Sequence, residues 1–352
     1  WLFDNVYAAF RREARSLTAG RATLAFKEGG GFDAGWREDV AAAALDAALA
    51  DPGVDCVLAL GARVTAAAAA PGRPLSKPVL GALVQESDLL PLPIGADGRA
   101  EKANFTVVTL PSRAADQLVA LRTAVPFGTL HVVIDEFLAP DRASLAAWRE
   151  RLARHIGAPV VLVPAGAAAD GVLSALPADV QAVYLFPAVR MDQTNRAALL
   201  AGLTARKFPA LSFLGQAEVE AGALAGVLPD PRDSLARRLA VNFDQQLAGT
   251  PVAELPLRLV QPQHLFFNEA TAAAIGFAVN FAALDHRAVM VGRPTEDPGS
   301  PLTLTGAMEA ALGGNAGFRA QQAATESSRL AVRSAQGALL PQVAASQTYS
   351  QI

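Results

Sequence analysis

The side chains able to make or break bonds are few and scattered. Four histidines, His131, His155, His264 and His286, fall at no metal-ligand spacing. No G-x-S-x-G elbow accompanies them, and the single cysteine, Cys56, lies in an apolar run where it reads as packed rather than reactive. The three glycines of residues 27–32 (KEGGGF) invite phosphate binding, but the G-x-x-x-x-G-K-[ST] pattern is absent and a loop is the better reading. No catalytic residue, metal site or cofactor site is therefore expected, and the chain is not read as an enzyme. What remains is the chemistry of binding. Gln85 and Glu86 follow the apolar run 79–84, and Asp135 and Glu136 close the run that starts at His131. Polar residues at the carboxyl ends of buried strands face the crevice in which open α/β sheets hold ligands. Gly61 ends the run 55–60 just ahead of a helical stretch. It either presents the first N–H groups of that helix to a ligand carboxylate or serves only as a tight turn.

Positioning those strand ends requires alternating elements. Residues 180–186 (VQAVYLF) form a near-continuous apolar run of strand length, as expected for a parallel strand buried on both faces. Capping residues Asp192 to Asn195 lead into a helix over 197–206. Strand 210–214, short helix 216–220 and strand 223–227 follow, and after the rigid Pro229-Asp230-Pro231 crossing Asp233 caps a helix ending near Gly249. Upstream the pattern predicts helix 1–17, strand 23–26, helix 33–50, strands 55–60 and 79–84 and a crossing segment at 105–110. Helix 112–125, strand 131–135, helix 141–156 and strand 160–163 come next. Such alternation predicts α/β architecture with doubly wound parallel sheets.

Composition agrees. In 352 residues, 52% are hydrophobic and 18% charged, enough for a large core and against disorder. The net charge of −3, without a basic stripe, argues against a nucleic-acid partner. No run reaches the ~18 apolar residues of a membrane-spanning helix. Without an initiating Met or a signal peptide, the sequence reads as a mature or cut-down piece.

The segment "DVQAVYLFPAVRMDQTNRAALLAGLTARKFPALSFLGQAEVEAGALAGVLPDPRDSLARRLAVNFDQQLAG" resembles the second lobe and return helix of periplasmic substrate-binding proteins of ABC uptake systems. The likeness is to the two-lobed type I branch that includes aromatic amino-acid binders, and "PVAELPLRLVQPQHLFFNEATAAAIG" continues it. It implies two doubly wound lobes within residues 1–280, with lobe 1 at about 1–108 and 228–260 and lobe 2 at about 109–227 and 261–280. The central strand that this pattern places before the first helix is missing, which leaves lobe 1 incomplete. The resemblance implies a small-molecule ligand in the inter-lobe cleft, near Gly61, Gln85, Glu86, Asp135, Glu136, Phe213 and Asp230. Phe213-Leu214-Gly215 and Ala188-Val189 stand where the family carries polar ligand contacts, which predicts weak binding of free aromatic amino acids.

Residues 285–292 add one strand and 281–301 have linker composition, after which the character of the chain changes. "LTLTGAMEAALGGNAGFRAQQAATESSRLAVRSAQGALLPQVAASQTYS" resembles the start of a TolC-type outer-membrane efflux duct, matching at Leu302-Thr303-Leu304, Ala307, Ala311-Leu312, Asn315 and Leu339-Leu340-Pro341-Gln342. This implies that 302–352 open a duct domain, with a helix over 317–339 and an extended strand from 343. It also implies a homotrimer formed through the duct, an inner-membrane pump or adaptor as partner, and a location in the periplasm and cell outer membrane. The expected function is a non-enzymatic transport component of efflux. The alternatives are a free solute-binding protein of an ABC importer, or an interaction module that binds nothing in its cleft.

Overall fold

The computed structural model describes residues 2–27, 34, 37–110, 113–139, 141–259, 261–279, 288–292 and 316–337. These divide into two units, 1–294 and 295–352.

The first unit is built on two sheets. In chain order its first elements are α1 (Leu2–Thr18), α2 (Glu38–Ala50), β1 (Val57–Leu60), α3 (Ala62–Ala69), β2 (Val79–Val84) and β3 (Phe105–Thr109). The three strands form a small parallel sheet in the order β1-β2-β3. The chain then builds α4 (Ala114–Ala124), β4 (Leu130–Ile134), α5 (Arg142–Ile156), β5 (Val160–Pro164), α6 (Ala169–Ala175) and β6 (Val183–Leu185). There follow α7 (Gln193–Ala205), β7 (Ala210–Ser212), α8 (Gln216–Glu220) and β8 (Ala225–Gly226). Helix α9 (Arg232–Leu247) returns to pack on α1 beside the small sheet, and β9 (Phe266–Asn268), α10 (Glu269–Ile275) and β10 (Val289–Val291) complete the large sheet. Its order is β10-β9-β8-β7-β6-β4-β5.

The burial pattern explains the layers. β2, β3 and β4 are buried at every position, so helices must cover both faces of each sheet. Val6, Phe10 and Ala14 of α1 meet Leu235 and Leu239 of α9 over Leu83 and Val108 of the small sheet. A second cluster runs from Val57, Val79 and Phe105 to Leu118, Trp148, Val132 and Tyr184, so one apolar core is shared by the two sheets. The far face of the large sheet packs on α6 and α7 through Val172, Leu199 and Leu203.

The strands predicted at 55–60 and 79–84 thus lie in one sheet, and those at 131–135, 160–163 and 180–186 in the other. Four features differ from the sequence expectation. Residues 23–26 form no strand: 22–27 run without regular structure, and a cavity lies between them and β1. Leu24 and Phe26 are half-buried while Thr23, Ala25 and Lys27 are exposed, which is strand-like alternation without a neighbouring strand to pair with. The large sheet is not wholly parallel, because β9 runs antiparallel to β8. Asp233 does not cap α9; Pro231 occupies that position, and the carboxylate of Asp230 accepts the N–H of Arg232 at 3.1 Å. Proline costs nothing there, since its missing N–H would have no intrahelical acceptor. Residues 105–109 belong to the small sheet, and the chain leaves it only after Thr109. The strand expected within 285–292 is present as β10, which pairs parallel to β9.

A second return is tied at the end of β3. Thr109 N–H donates to the carbonyl of Leu257 at 2.8 Å, and Leu259 N–H to the carbonyl of Thr109 at 3.2 Å, before the chain enters β9. There Asn268 caps α10: its Oδ1 accepts the N–H of Thr271 at 2.9 Å and its Nδ2 donates to the carbonyl of Val219 at 2.7 Å. Asn268→Ala is expected to lower stability by about 1–2 kcal/mol, the loss of a cap plus a buried carbonyl left without its donor. Urea denaturation of the full chain measures this, and an unchanged midpoint would contradict it.

In the second unit the described element is α11 (Ala316–Gly337), 22 residues and about 33 Å long. It matches the helix expected over 317–339; the extended strand expected from 343 lies outside the described residues. Large apolar side chains are limited to Phe318, Leu330 and Val332, and a helix so poor in bulk gains little by burial. Hydrogen exchange is expected to be fast across α11 and slow in β4 and β6; comparable protection would show α11 to be held by a core of its own. No described helix is long and apolar enough to cross a membrane.

Candidate ligand cleft

Because the strands of the small sheet and β4 to β8 of the large sheet are parallel, each presents its carboxyl end and the following turn on one side. At β1 this is Gly61, whose φ of +109° favours glycine and whose position lets α3 begin directly at the strand end. A Cβ there would also lie 3.1 Å from Cε1 of Phe3. The first N–H groups of α3 have no intrahelical acceptors and carry the positive end of the helix dipole. At β2 the strand is followed directly by Gln85. In the large sheet β4 lies between β6 and β5, so the connections after β4 and β6 diverge at a topological switch point. The turn after β4 carries Asp135 to Leu138, and the turn after β6 carries Pro187 to Asp192.

These ends border a cavity of about 1110 Å³. One part, walled by Tyr7, Leu24, Phe26 and Leu58, lies between β1 and residues 22–27; another reaches Gly61, Gln85, Phe137 and Val189. Half-buried Cys56 is on its wall, and burial pushes its thiol up to about 12, so it is no nucleophile at neutral pH.

Of the residues expected to contact a ligand, the structure brings Gly61 and Gln85 to this cavity. Gln85 is 4% exposed, and neither its Nε2 nor its Oε1 has a hydrogen-bond partner. Glu86, beside it, turns the other way. Its Oε2 accepts the N–H of Ala114 at 2.9 Å and its Oε1 that of Asp88 at 3.3 Å, so it ties the end of β2 to the start of α4. Asp135 is fully buried and occupied: it accepts the N–H of Phe137 at 3.1 Å and two donors of Arg190, Nε at 2.9 Å and Nη2 at 2.7 Å. Hydrogen bonding to Asp135 raises the Arg190 guanidinium further above its ordinary range. Glu136 is exposed in the short 3₁₀ turn after β4. Phe213 is fully buried, its ring centroid 4.4 Å from that of Phe186 and 6.3 Å from that of Tyr184. Asp230 lies at the crossing into α9. Burial works against its ionisation, but hydrogen bonds from the side chain and N–H of Arg232 outweigh that and hold its carboxyl below the usual range.

Arg63 and Arg190, which the sequence did not single out, complete the wall together with Ala188 and Val189. Arg63 donates from Nε to the carbonyl of Phe137 at 2.8 Å and stacks 4.8 Å from the centre of that ring, linking α3 to the turn after β4. Ala188, Val189 and Arg190 supply the side after β6. The Arg190–Asp135 pair joins residues 55 apart in sequence, a distance at which no local pattern betrays a partner.

Among solved structures, the chain is similar to an ABC domain from Streptococcus pneumonia in complex with L-Trp. The two are 17% identical over 82% of this chain and 96% of that one, with a TM-score of 0.58. It is also similar to a conserved domain protein from Vibrio cholerae O1 biovar eltor, at 16% identity over 82% of this chain and 95% of that one, with a TM-score of 0.59. No protein-family model matches the chain, and no curated protein does. At these identities the likeness is one of fold: parallel α/β sheets resembling the type I periplasmic binding proteins.

Proposed function

We propose that the first unit is a non-catalytic solute-binding domain that takes a small molecule into the cavity at the ends of β1, β2, β4 and β6. The observation that carries this reading is the cavity itself, bordered from the small sheet by Gly61 and a buried, unpartnered Gln85 and from the large sheet by Phe137 and Val189. Pockets of this size, largely apolar and with a few convergent polar groups, are the usual form of small-ligand sites. The domain is read as two lobes, about 1–108 with 228–260 and about 109–227 with 261–280. The fold shared with a domain solved with L-Trp supports a role as the binding component of an ABC importer in the periplasm. A screen of small solutes by thermal unfolding of the full chain tests it. A true ligand at a hundred times its Kd adds about 2.7 kcal/mol of stability. Val189→Trp, which fills the cavity from its wall, should abolish that shift without lowering the melting point of the free protein. A shift that survives the substitution would place the ligand elsewhere.

A second reading is favoured by one observation. A helix, α11, covers the stretch where the duct resemblance expects one, and it lies in a unit separate from residues 1–294. On that reading residues 302–352 begin an outer-membrane efflux domain, and the binding fold belongs to a trimeric duct that meets an inner-membrane pump or adaptor. Fractionation of cells producing the native protein, followed with antibody to the first unit, separates the two: recovery with the outer membrane supports the duct, and recovery in the soluble periplasmic fraction sinks it.

A further inference from the structure

The small sheet stops at β1, which pairs with β2 alone among the described strands. Val57 and Gly61 donate their N–H groups to Pro78 at 2.9 Å and Ala82 at 2.8 Å, on the β2 side. Successive residues of a strand turn their backbone groups to opposite edges, so Leu58 and Leu60 present theirs away from β2. Both are only half-buried, whereas β2 and β3 are buried throughout. Residues 23–27 carry the complementary defect. Their burial alternates as in a strand, yet no backbone hydrogen bond to another described residue holds them. One part of the cavity lies between these two open edges.

The two faces of that space are already built. Val57 and Ala59 pack in one cluster with Leu45 and Ala48 of α2. Leu58 and Leu60, on the opposite face of β1, pack against the cluster of α1 and α9, and Leu24 and Phe26 pack against it too. The Phe26 ring lies 6.2 Å from that of Phe10 and 6.3 Å from that of Tyr7. The space thus has helices on both faces and unpaired backbone on both edges, which is the surrounding of an interior strand. Charged residues border it as well. Asp55 precedes β1, Lys27 pairs with Asp51 at 2.7 Å, and Asp4 follows Phe3, the ring nearest Gly61, so the charges stand toward the ends of β1. A small solute could fill the volume but would leave both rows of N–H and C=O groups unmatched, whereas an extended peptide carries the matching groups on both of its edges.

We propose that this part of the cavity is a strand-addition site, which takes an extended segment of a partner polypeptide between β1 and residues 23–27. The main chain of that segment pairs with Leu58 and Leu60 on one edge and with residues 23–27 on the other. Its side chains alternate between α2 and the layer of α1 and α9, so they are aliphatic along the middle and polar only at the ends. About five residues suffice to run the length of β1 at about 3.3 Å each. This goes beyond solute binding, which uses the part of the cavity at Gly61, Gln85, Phe137 and Val189.

The test is calorimetric titration of the full chain with capped peptides of about seven residues, valine and isoleucine at the centre and lysine at each end. Each is compared with the same peptide N-methylated at alternate residues, which strips the donors from one edge. The unmodified peptide is expected to bind tenfold or more tightly than its methylated form. Leu58→Pro removes one N–H that faces the slot and spares the ladder to β2, a position at which an edge strand tolerates proline. It is expected to weaken binding tenfold or more, and the methylated peptide makes the same cut should that variant not fold. Hydrogen exchange supplies a second readout. The amides of Leu58, Leu60 and residues 24–26 should exchange fast in the free protein and at least tenfold more slowly with peptide, while those of β2 stay slow in both. Equal affinity of the two peptides would overturn backbone pairing. Protection of the same amides in the protein alone would show that a segment of this chain fills the slot, and would overturn the partner. Absence of binding by any peptide would overturn the proposal and leave solute binding standing, since that reading is judged by the ligand shift lost in Val189→Trp.

Discussion

Phe213→Ala is expected to destabilise the first unit by about 3–5 kcal/mol, the range for removing a buried aromatic ring from a packed core. Phe213 leaves the end of β7 and is fully buried, with Phe186 and Tyr184 against its ring. Phe186 in turn meets Trp148 of α5 at 5.5 Å between ring centroids, so the cluster joins the large sheet to one of its covering helices. The turn that follows Phe213 has little freedom to close the void. Gly215 holds a φ of +73°, and a Cβ added there would sit 2.0 Å from the carbonyl oxygen of Leu228. Denaturant unfolding of the full chain, followed by far-UV circular dichroism and by tryptophan fluorescence, gives the change. A loss below about 1 kcal/mol would mean that the cluster repacks and does not behave as a close-packed core. Because Phe213 does not line the cavity, ligand affinity in the remaining folded protein should be little altered.

Glu86 should make stability fall as pH rises toward neutrality. Burial is the main cause that lifts its carboxyl from the ordinary 4.5 to about 7; the nearby Asp88 adds to the shift, while the N–H of Ala114 and the charge of Arg113 oppose it. The folded state therefore holds a proton that the unfolded chain releases. That contribution is complete below pH 4.5 and is lost as pH climbs to about 7, a change of roughly 3 kcal/mol at 1.36 kcal/mol per pKa unit. Glu86→Gln keeps an acceptor for Ala114 but cannot ionise. Its stability relative to wild type should be level near pH 4 and higher by up to that amount near pH 8. Parallel stability curves for the two proteins across this range would refute the shift. The geometry extends the consequence beyond stability. Since this carboxyl joins the end of β2 to the first turn of α4, its ionisation acts where the chain passes from one sheet to the other.

Much of the fold was legible because burial leaves a mark on composition. The run 79–84 is apolar throughout and 130–134 is apolar apart from His131, a pattern that suits strands covered on both faces. Gly157 marked the end of α5, while α7 begins at Gln193 with Asp192 as its cap, ahead of the start expected at 197. Residues 23–26 failed for a complementary reason. Alternation of Leu24 and Phe26 with polar or small neighbours describes a half-buried extended chain, yet a strand exists only when another strand supplies its hydrogen bonds. The antiparallel β9 was likewise hidden, since Phe266–Asn268 carry no signal of direction.

At the cleft, the α/β alternation was enough to place Gly61 and the polar residues Gln85, Glu86, Asp135 and Glu136 just after the strands. Which of these side chains stay unpaired depends on long-range packing. Asp135 is consumed by Arg190 from the next strand's turn, and Glu86 by the start of α4, while Gln85 is left with no partner at all. A carboxylate or amide is defined by its residue type, but its usefulness to a ligand depends on what else hydrogen-bonds to it. Those partners arrive from 28 and 55 residues away. Local pattern fixes where a side chain enters the crevice, whereas its pairing is settled by the packing of elements distant in the chain.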